Sequence, residues 1–171
     1  MTLKDLTKDE YFNYYQTYIA KVKEQDLIKG LVQNKMETAS LLESLSEEKF
    51  DYAYDIDKWT IKELLLHIID TERIFANRAL RIARNDQVHL PGFDQDEFNN
   101  YAEANSRTKT DLIEDFIAAR NNTISLFKSF TESMLTNIGI ASDHKLSTRA
   151  AGFIIIGHEN HHIEILRERY L

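Results

Sequence analysis

A single proline, Pro91, interrupts this 171-residue chain, and only five glycines accompany it. A β-rich fold needs far more turn residues than that, so helices are expected to dominate. The apolar residues agree. Leu27, Leu31, Asn34, Thr38, Leu41 and Leu45 are spaced alternately four and three apart, as are Leu112, Phe116, Ala119, Thr123, Leu126 and Phe130. That is the spacing of a helix burying one face. Ile61, Leu65, Ile68, Phe75, Ala79 and Ile82 mark a third helix, from about Thr60 to Arg84, with Leu64, His67, Thr71, Ile74 and Arg78 on a second stripe. A fourth starts at Ser147 or Thr148 and runs to about Arg169, with Ala151, Ile154, His158, His162 and Ile165 on one face.

Local signals sharpen these boundaries. Asp26 is placed as an N-cap, and Thr60 with Glu63 has the spacing of a capping box, with Trp59 just outside it; the helix of the second seam runs from Thr108 to Thr131. Residues 8–22, rich in tyrosine, read as a short additional helix packing across the others. Residues 46–58, 85–106 and 132–146 read as connections. The 85–106 stretch contains Pro91-Gly92 and is long enough for a crossover or a lid. The expected architecture is all-α: a four-helix bundle, up-down-down-up, with a short extra N-terminal helix, in one domain over 1–171.

Composition limits the function. Net charge is −7 with no basic block, so a nucleic-acid partner is not expected. There are no cysteines, which excludes disulfides, a thiol nucleophile and cysteine-ligated zinc. No segment reads as a signal peptide or a membrane span, so the expectation is a soluble cytoplasmic protein acting on a small molecule.

His158 and His162 stand one turn apart on the apolar face of the fourth helix. Imidazoles at that spacing converge on one ion in helical zinc motifs, where a Glu follows the first His, as Glu159 does here. His67, on an inward-leaning stripe of the second long helix, is the third candidate ligand. Three neutral imidazoles leave a divalent ion with an open position and an uncompensated charge that favours hydroxide, carboxylate or thiolate. Spacing alone leaves the alternative of three ordinary core histidines. His161 points off the stripe, and His89 and His144 fall in connections. Glu159 is turned about 100° from His158 and is poorly placed as a base. Asp70, one turn from His67, is better placed to orient that ring as a supporting catalytic residue. The arginines at 73, 78, 81 and 84 either face solvent near the helix C-terminus or attract an anionic substrate. Asn34 and Thr38 either line a polar cavity or make core hydrogen bonds.

The segment Trp59 to Arg73, with Arg78, and the segment Gly157-His158-Glu159-Asn160-His161-His162 resemble the second-helix and fourth-helix motifs of the DinB/YfiT-like superfamily. The loop Leu90-Pro91-Gly92-Phe93-Asp94 and Tyr18-Ile19 are similar to one branch of it. The resemblance covers nearly the whole chain. It implies nickel, zinc or iron on His67, His158 and His162, and homodimers are common in such a family. It further implies enzymes using low-molecular-weight thiols: bacillithiol-dependent transferases and a mycothiol-dependent isomerase. A thiol transferase is therefore the leading expectation, with a thiol as cosubstrate. A hydrolase using metal-activated water, with Glu159 or Asp70 moving the proton, and a non-catalytic ligand-binding or stress protein are the alternatives.

Overall fold

The computed structural model describes residues 1–171. Eight α-helices appear in chain order: α1 (Gln16–Ile19), α2 (Leu27–Ser44), α3 (Glu47–Phe50), α4 (Ile61–Ala83), α5 (Gln95–Tyr101), α6 (Lys109–Lys128), α7 (Glu132–Thr136) and α8 (Thr148–Ile165). Strands β1 (Ile138–Ala141) and β2 (His144–Ser147) form an antiparallel hairpin between α7 and α8. Three of the four long helices start at the caps that the sequence places, and Thr108 caps the remaining one. Asp26, Thr60, Thr108 and Ser147 each accept a hydrogen bond from the backbone N–H three residues on. Thr60 and Glu63 cap each other reciprocally.

Paired side chains fix the direction of each helix. Asn34 of α2 meets Glu159 of α8, and Gly30 faces Ile156, so α2 and α8 run parallel. His67 of α4 meets His158, while Trp59 before α4 accepts from Tyr170 beyond α8, so α4 and α8 are antiparallel. Arg73 and Glu72 of α4 meet Asp115 and Arg120 of α6, and Thr60 meets Asn105, so α4 and α6 are parallel. Lys109 reaches Leu45 and Lys35 reaches Asn121, which sets α2 against α6. The bundle is up-down-down-up. Both α2 and α4 pack against α6 and α8, and they lie diagonally across the bundle from each other.

The apolar core is split in two. One cluster gathers the start of α2, the ends of α4 and α6, the start of α8 and the hairpin. The other gathers α3, the starts of α4 and α6 and the turn after α8. Between them runs a buried polar belt with members from all four long helices: Thr38, His67, Thr71, Glu72, Arg120, Thr123, His158 and Glu159. Of the two polar residues that break the α2 seam, Asn34 donates to Glu159, Asn160 and the Ile156 carbonyl, which is the hydrogen-bonding reading.

Four segments differ from the sequence reading: residues 8–22 and all three connections. Residues 8–22 are not one helix. They form 3₁₀ turns at Lys8–Glu10 and Asn13–Tyr15 followed by the single turn α1. Tertiary ties set this path: Glu10 accepts from Ser147 and Arg149, and Tyr11 bridges to Leu146 in an extended conformation. The 85–106 connection contains α5, capped by Asp94. Phe98 and Tyr101 on α5 are exposed, so no apolar stripe marks it. The 132–146 connection contains α7 and the hairpin. Its two-residue turn uses Ser142 and Asp143, at φ 51° and 62°, in place of the Asn-Gly pair that announces such turns. The polar 46–58 stretch includes α3, which buries Phe50.

Candidate metal centre

His67 reaches inward from α4, and His158 and His162 reach inward from successive turns of α8. The Nε2 of His158 lies 3.1 Å from the Nε2 of His67 and 3.1 Å from that of His162. One ring nitrogen from each of the three falls within 4.8 Å of the others. Nitrogens bound tetrahedrally about 2.0–2.1 Å from one zinc ion would be roughly 3.3 Å apart. The three rings are therefore spaced for a single divalent ion, and the Nδ1 of His162 is left buried without a partner.

His67 and His158 are each only 6% exposed. Burial pushes the His67 imidazole down to about 4 and that of His162 down to about 3. Burial also holds His158 well below the ordinary range, helped by its neighbouring rings. All three are thus neutral at physiological pH, the protonation state in which imidazole binds a metal. Trp59 stands over the His67 ring with centroids 4.9 Å apart.

The other candidates separate clearly. Glu159 points away from the rings. Its Oε2 accepts from Arg120 at 2.7 Å and from Asn34 at 3.0 Å. Arg120 is fully buried and also donates twice to Glu72, at 2.8 Å each. Burial works against its charge, but Glu159 and Glu72 outweigh that and hold it protonated. Asp70 makes no hydrogen bond to His67. It lines a narrow crevice with that ring, while its carboxylate meets Arg73 at 3.3 Å. Burial raises its pKa. His161 packs beside Tyr18, outside the cluster. His89 is exposed. His144 is not in a loop but on β2, where it stacks flat on Phe12 at 3.6 Å. Arg73 and Arg81 pair with acids at the surface and Arg84 is exposed, whereas Arg78 turns inward.

A cavity of about 240 Å³ opens beside His67 and His158. Phe75, Phe93 and the tyrosines Tyr14, Tyr15 and Tyr18 form its walls, and no carboxylate lines it. Sequence reading missed the tyrosine wall, although the cluster of aromatics before residue 20 was its signal. The wall is seated through Gly157. A Cβ there would fall 2.0 Å from the carbonyl oxygen of Tyr18, so the backbone of α1 rests directly on α8 one residue before His158. The Tyr18 and Tyr14 hydroxyls are 3.2 Å apart at the cavity edge.

The fold and the three convergent histidines define a four-helix bundle with a metal-site layout in its core. The model of the DinB superfamily matches residues 31–166, and the chain belongs to that superfamily. Among solved structures, it is similar to YfiT from Bacillus subtilis, described as a probable metal-dependent hydrolase with an unusual four-helix bundle topology. The TM-score is 0.65 at 14% identity, over 95% of this chain and 89% of that one. It is also similar to YjoA, a DinB-like protein from Bacillus subtilis, with a TM-score of 0.59 at 21% identity, over 82% of this chain and 86% of that one. No curated protein matches the sequence. No helix is long and apolar enough to cross a membrane.

Proposed function

We propose that this chain is a metal-dependent transferase that delivers a low-molecular-weight thiol to an electrophile, with His67, His158 and His162 as the ligands of nickel, zinc or iron. The observation that carries this reading is the convergence of three neutral imidazoles, two of which, His67 and His158, line a cavity without carboxylates. A divalent ion held there would act as a Lewis acid, lowering the pKa of a nucleophile in its open position. The chain's own groups do the rest. Three uncharged ligands leave the ion's positive charge undiminished, which favours an anionic nucleophile. Aromatic walls flank the cavity, and Tyr18 covers His158 from the α1 side. With no base in the cavity, the nucleophile must lose its proton readily. A thiol starts near a pKa of about 8.5, whereas water starts at about 15.7. The chain has no cysteine, so the sulfur has to come from a cosubstrate.

Cobalt-substituted protein titrated with bacillithiol, mycothiol, glutathione and coenzyme A tests this. A sulfur-to-metal charge-transfer band should appear with at least one thiol and be absent in His158→Ala. The description of YfiT as a probable metal-dependent hydrolase favours a second reading, cleavage by metal-activated water. No band with any thiol, together with metal-dependent ester or amide cleavage, would select it. Metal without either signal would select a ligand-binding protein. A homodimer is the expected assembly, to be measured by sedimentation.

A further inference from the structure

Arg78 is the one α4 arginine that faces the cavity. It lies on the stripe of His67 and Thr71, about three turns beyond His67. It is 3% exposed and no acid pairs with it. Its contacts with the fold are neutral. Nη2 donates to the Pro91 carbonyl at 2.8 Å and to Ser142 Oγ at 2.9 Å. The guanidinium carbon stands 4.9 Å from the centroid of the Phe75 ring. Both hydrogens of Nη2 are thereby used, and the Tyr15 hydroxyl also lies beside the guanidinium, so every protein group that Arg78 meets is uncharged. A helical side chain of this length leans toward the helix N-terminus, which here means toward Thr71 and the histidines. Thr71 is 4% exposed, lines the same cavity, and its hydroxyl is buried without a partner.

A buried cation without a counter-ion and a buried hydroxyl without a partner each cost free energy. Finding both in one cavity points to a ligand that satisfies them together. We propose that Arg78 and Thr71 seat a carboxylate, so that the molecule occupying this cavity beside the histidines is a small organic acid or a reagent carrying a carboxylate. The substrate assignment rests on the proposed function, whereas the seat itself is made of Arg78 and Thr71 alone. A monoanion fits better than a phosphate dianion. One positive charge and one hydroxyl are on offer, the other α4 arginines are engaged outside, and the chain's net charge is −7. The cavity has room for about eight waters' worth of ligand, enough for a short acid reaching from Arg78 toward the rings.

The test uses full-length protein stripped of metal, observing the Arg78 Nε–H resonance by nitrogen-15 NMR during titration with propionate, propionamide and inorganic phosphate. Propionate should shift this resonance saturably, and propionamide should bind at least about tenfold more weakly, as for a lost charge-assisted contact. Arg78→Gln should abolish propionate binding, and Thr71→Val should weaken it about fivefold. Arg73→Gln, a surface arginine on the same helix, should leave it unchanged. The wild-type titration stands even if Arg78→Gln fails to fold. Equal binding of propionamide, no saturable shift, or phosphate binding without propionate binding would each overturn the proposal. Zinc uptake by the same protein is measured separately. Uptake without propionate binding defeats the seat alone, and propionate binding without uptake defeats the metal reading and leaves the seat.

Discussion

His158 and Glu159 are neighbours in the chain and nearly equally hidden, yet they belong to opposite kinds of polar interior. Glu159 closes a network: with Glu72 it brackets Arg120, and Asn34 adds a further bond. His158 opens one. Its ring nitrogen meets two other ring nitrogens, with no charged group to hold any of them. Charges that answer each other across three helices hold a bundle in register. Lone pairs that converge without an answer wait for something outside the chain. The polar belt between the two apolar clusters thus has a structural half and a receptive half.

The contrast would break most visibly through stability. Arg120→Met leaves Glu72 and Glu159 buried without their cation, and urea unfolding should show a loss of about 3–5 kcal/mol. His158→Asn in metal-free protein should cost less than about 2 kcal/mol. Equal losses would mean that the histidines are as structural as the arginine.

Metal uptake comes next. Purified protein should carry one divalent ion per chain, measured by elemental analysis. His67→Ala, His158→Ala and His162→Ala should each weaken binding about a hundredfold or more, that is by roughly 3 kcal/mol or more. His161→Ala, His89→Ala and His144→Ala should keep the ion. Retention in His162→Ala with loss in His161→Ala would reassign the face of α8. Chelation should leave the helical circular dichroism in place and lower the melting point by a few degrees only, because the two apolar clusters fold the bundle without the ion.

The pH dependence distinguishes the two halves more finely. The histidine pKa values are depressed in the folded protein, to about 4 for His67 and about 3 for His162. Between these values and the unfolded value near 6.5, the unfolded chain binds more protons. The stability of metal-free protein should therefore rise with pH across that window and fall on acidification through it. In His67→Gln the slope should be shallower. Protons should also compete with metal at lower pH than an ordinary imidazole would allow. The smallest effect belongs to Asp70→Asn. Loss of a partner orienting a metal-bound histidine costs about 10–100-fold in affinity. Since Asp70 makes no bond to His67, the expected change is less than about threefold, and a larger one would restore Asp70 to that role.

The bundle and its direction were legible because helix periodicity repeats over many residues. Four seams, three caps and one long connection suffice to define up-down-down-up. The placement of the histidines on inward faces was legible for the same reason. What escaped was made by contacts between distant segments. Arg120 and Glu72 look like ordinary polar helix residues until α4 and α6 are set parallel. The hairpin turn at Ser142 is made by left-handed backbone that those residue types adopt only in context. The path of residues 8–22 follows from Glu10 reaching Ser147 and Arg149. Among Arg73, Arg78, Arg81 and Arg84, only the packing of the Pro91 loop and the hairpin around Arg78 decides which one turns inward.

The seat of Tyr18 on Gly157 has a consequence for biosynthesis. The tyrosine wall leaves the ribosome well before the surface that receives it, because Tyr18 precedes Gly157 by 139 positions. During elongation, at roughly 5–20 residues per second, the aromatic segment must therefore wait several seconds, exposed, until α8 emerges. Its docking closes a loop that takes in α2, α4 and α6, so the cavity should be completed late in folding. A nascent chain arrested before residue 157 should leave the segment around Tyr14 to Tyr18 open to protease, and synthesis through α8 should protect it.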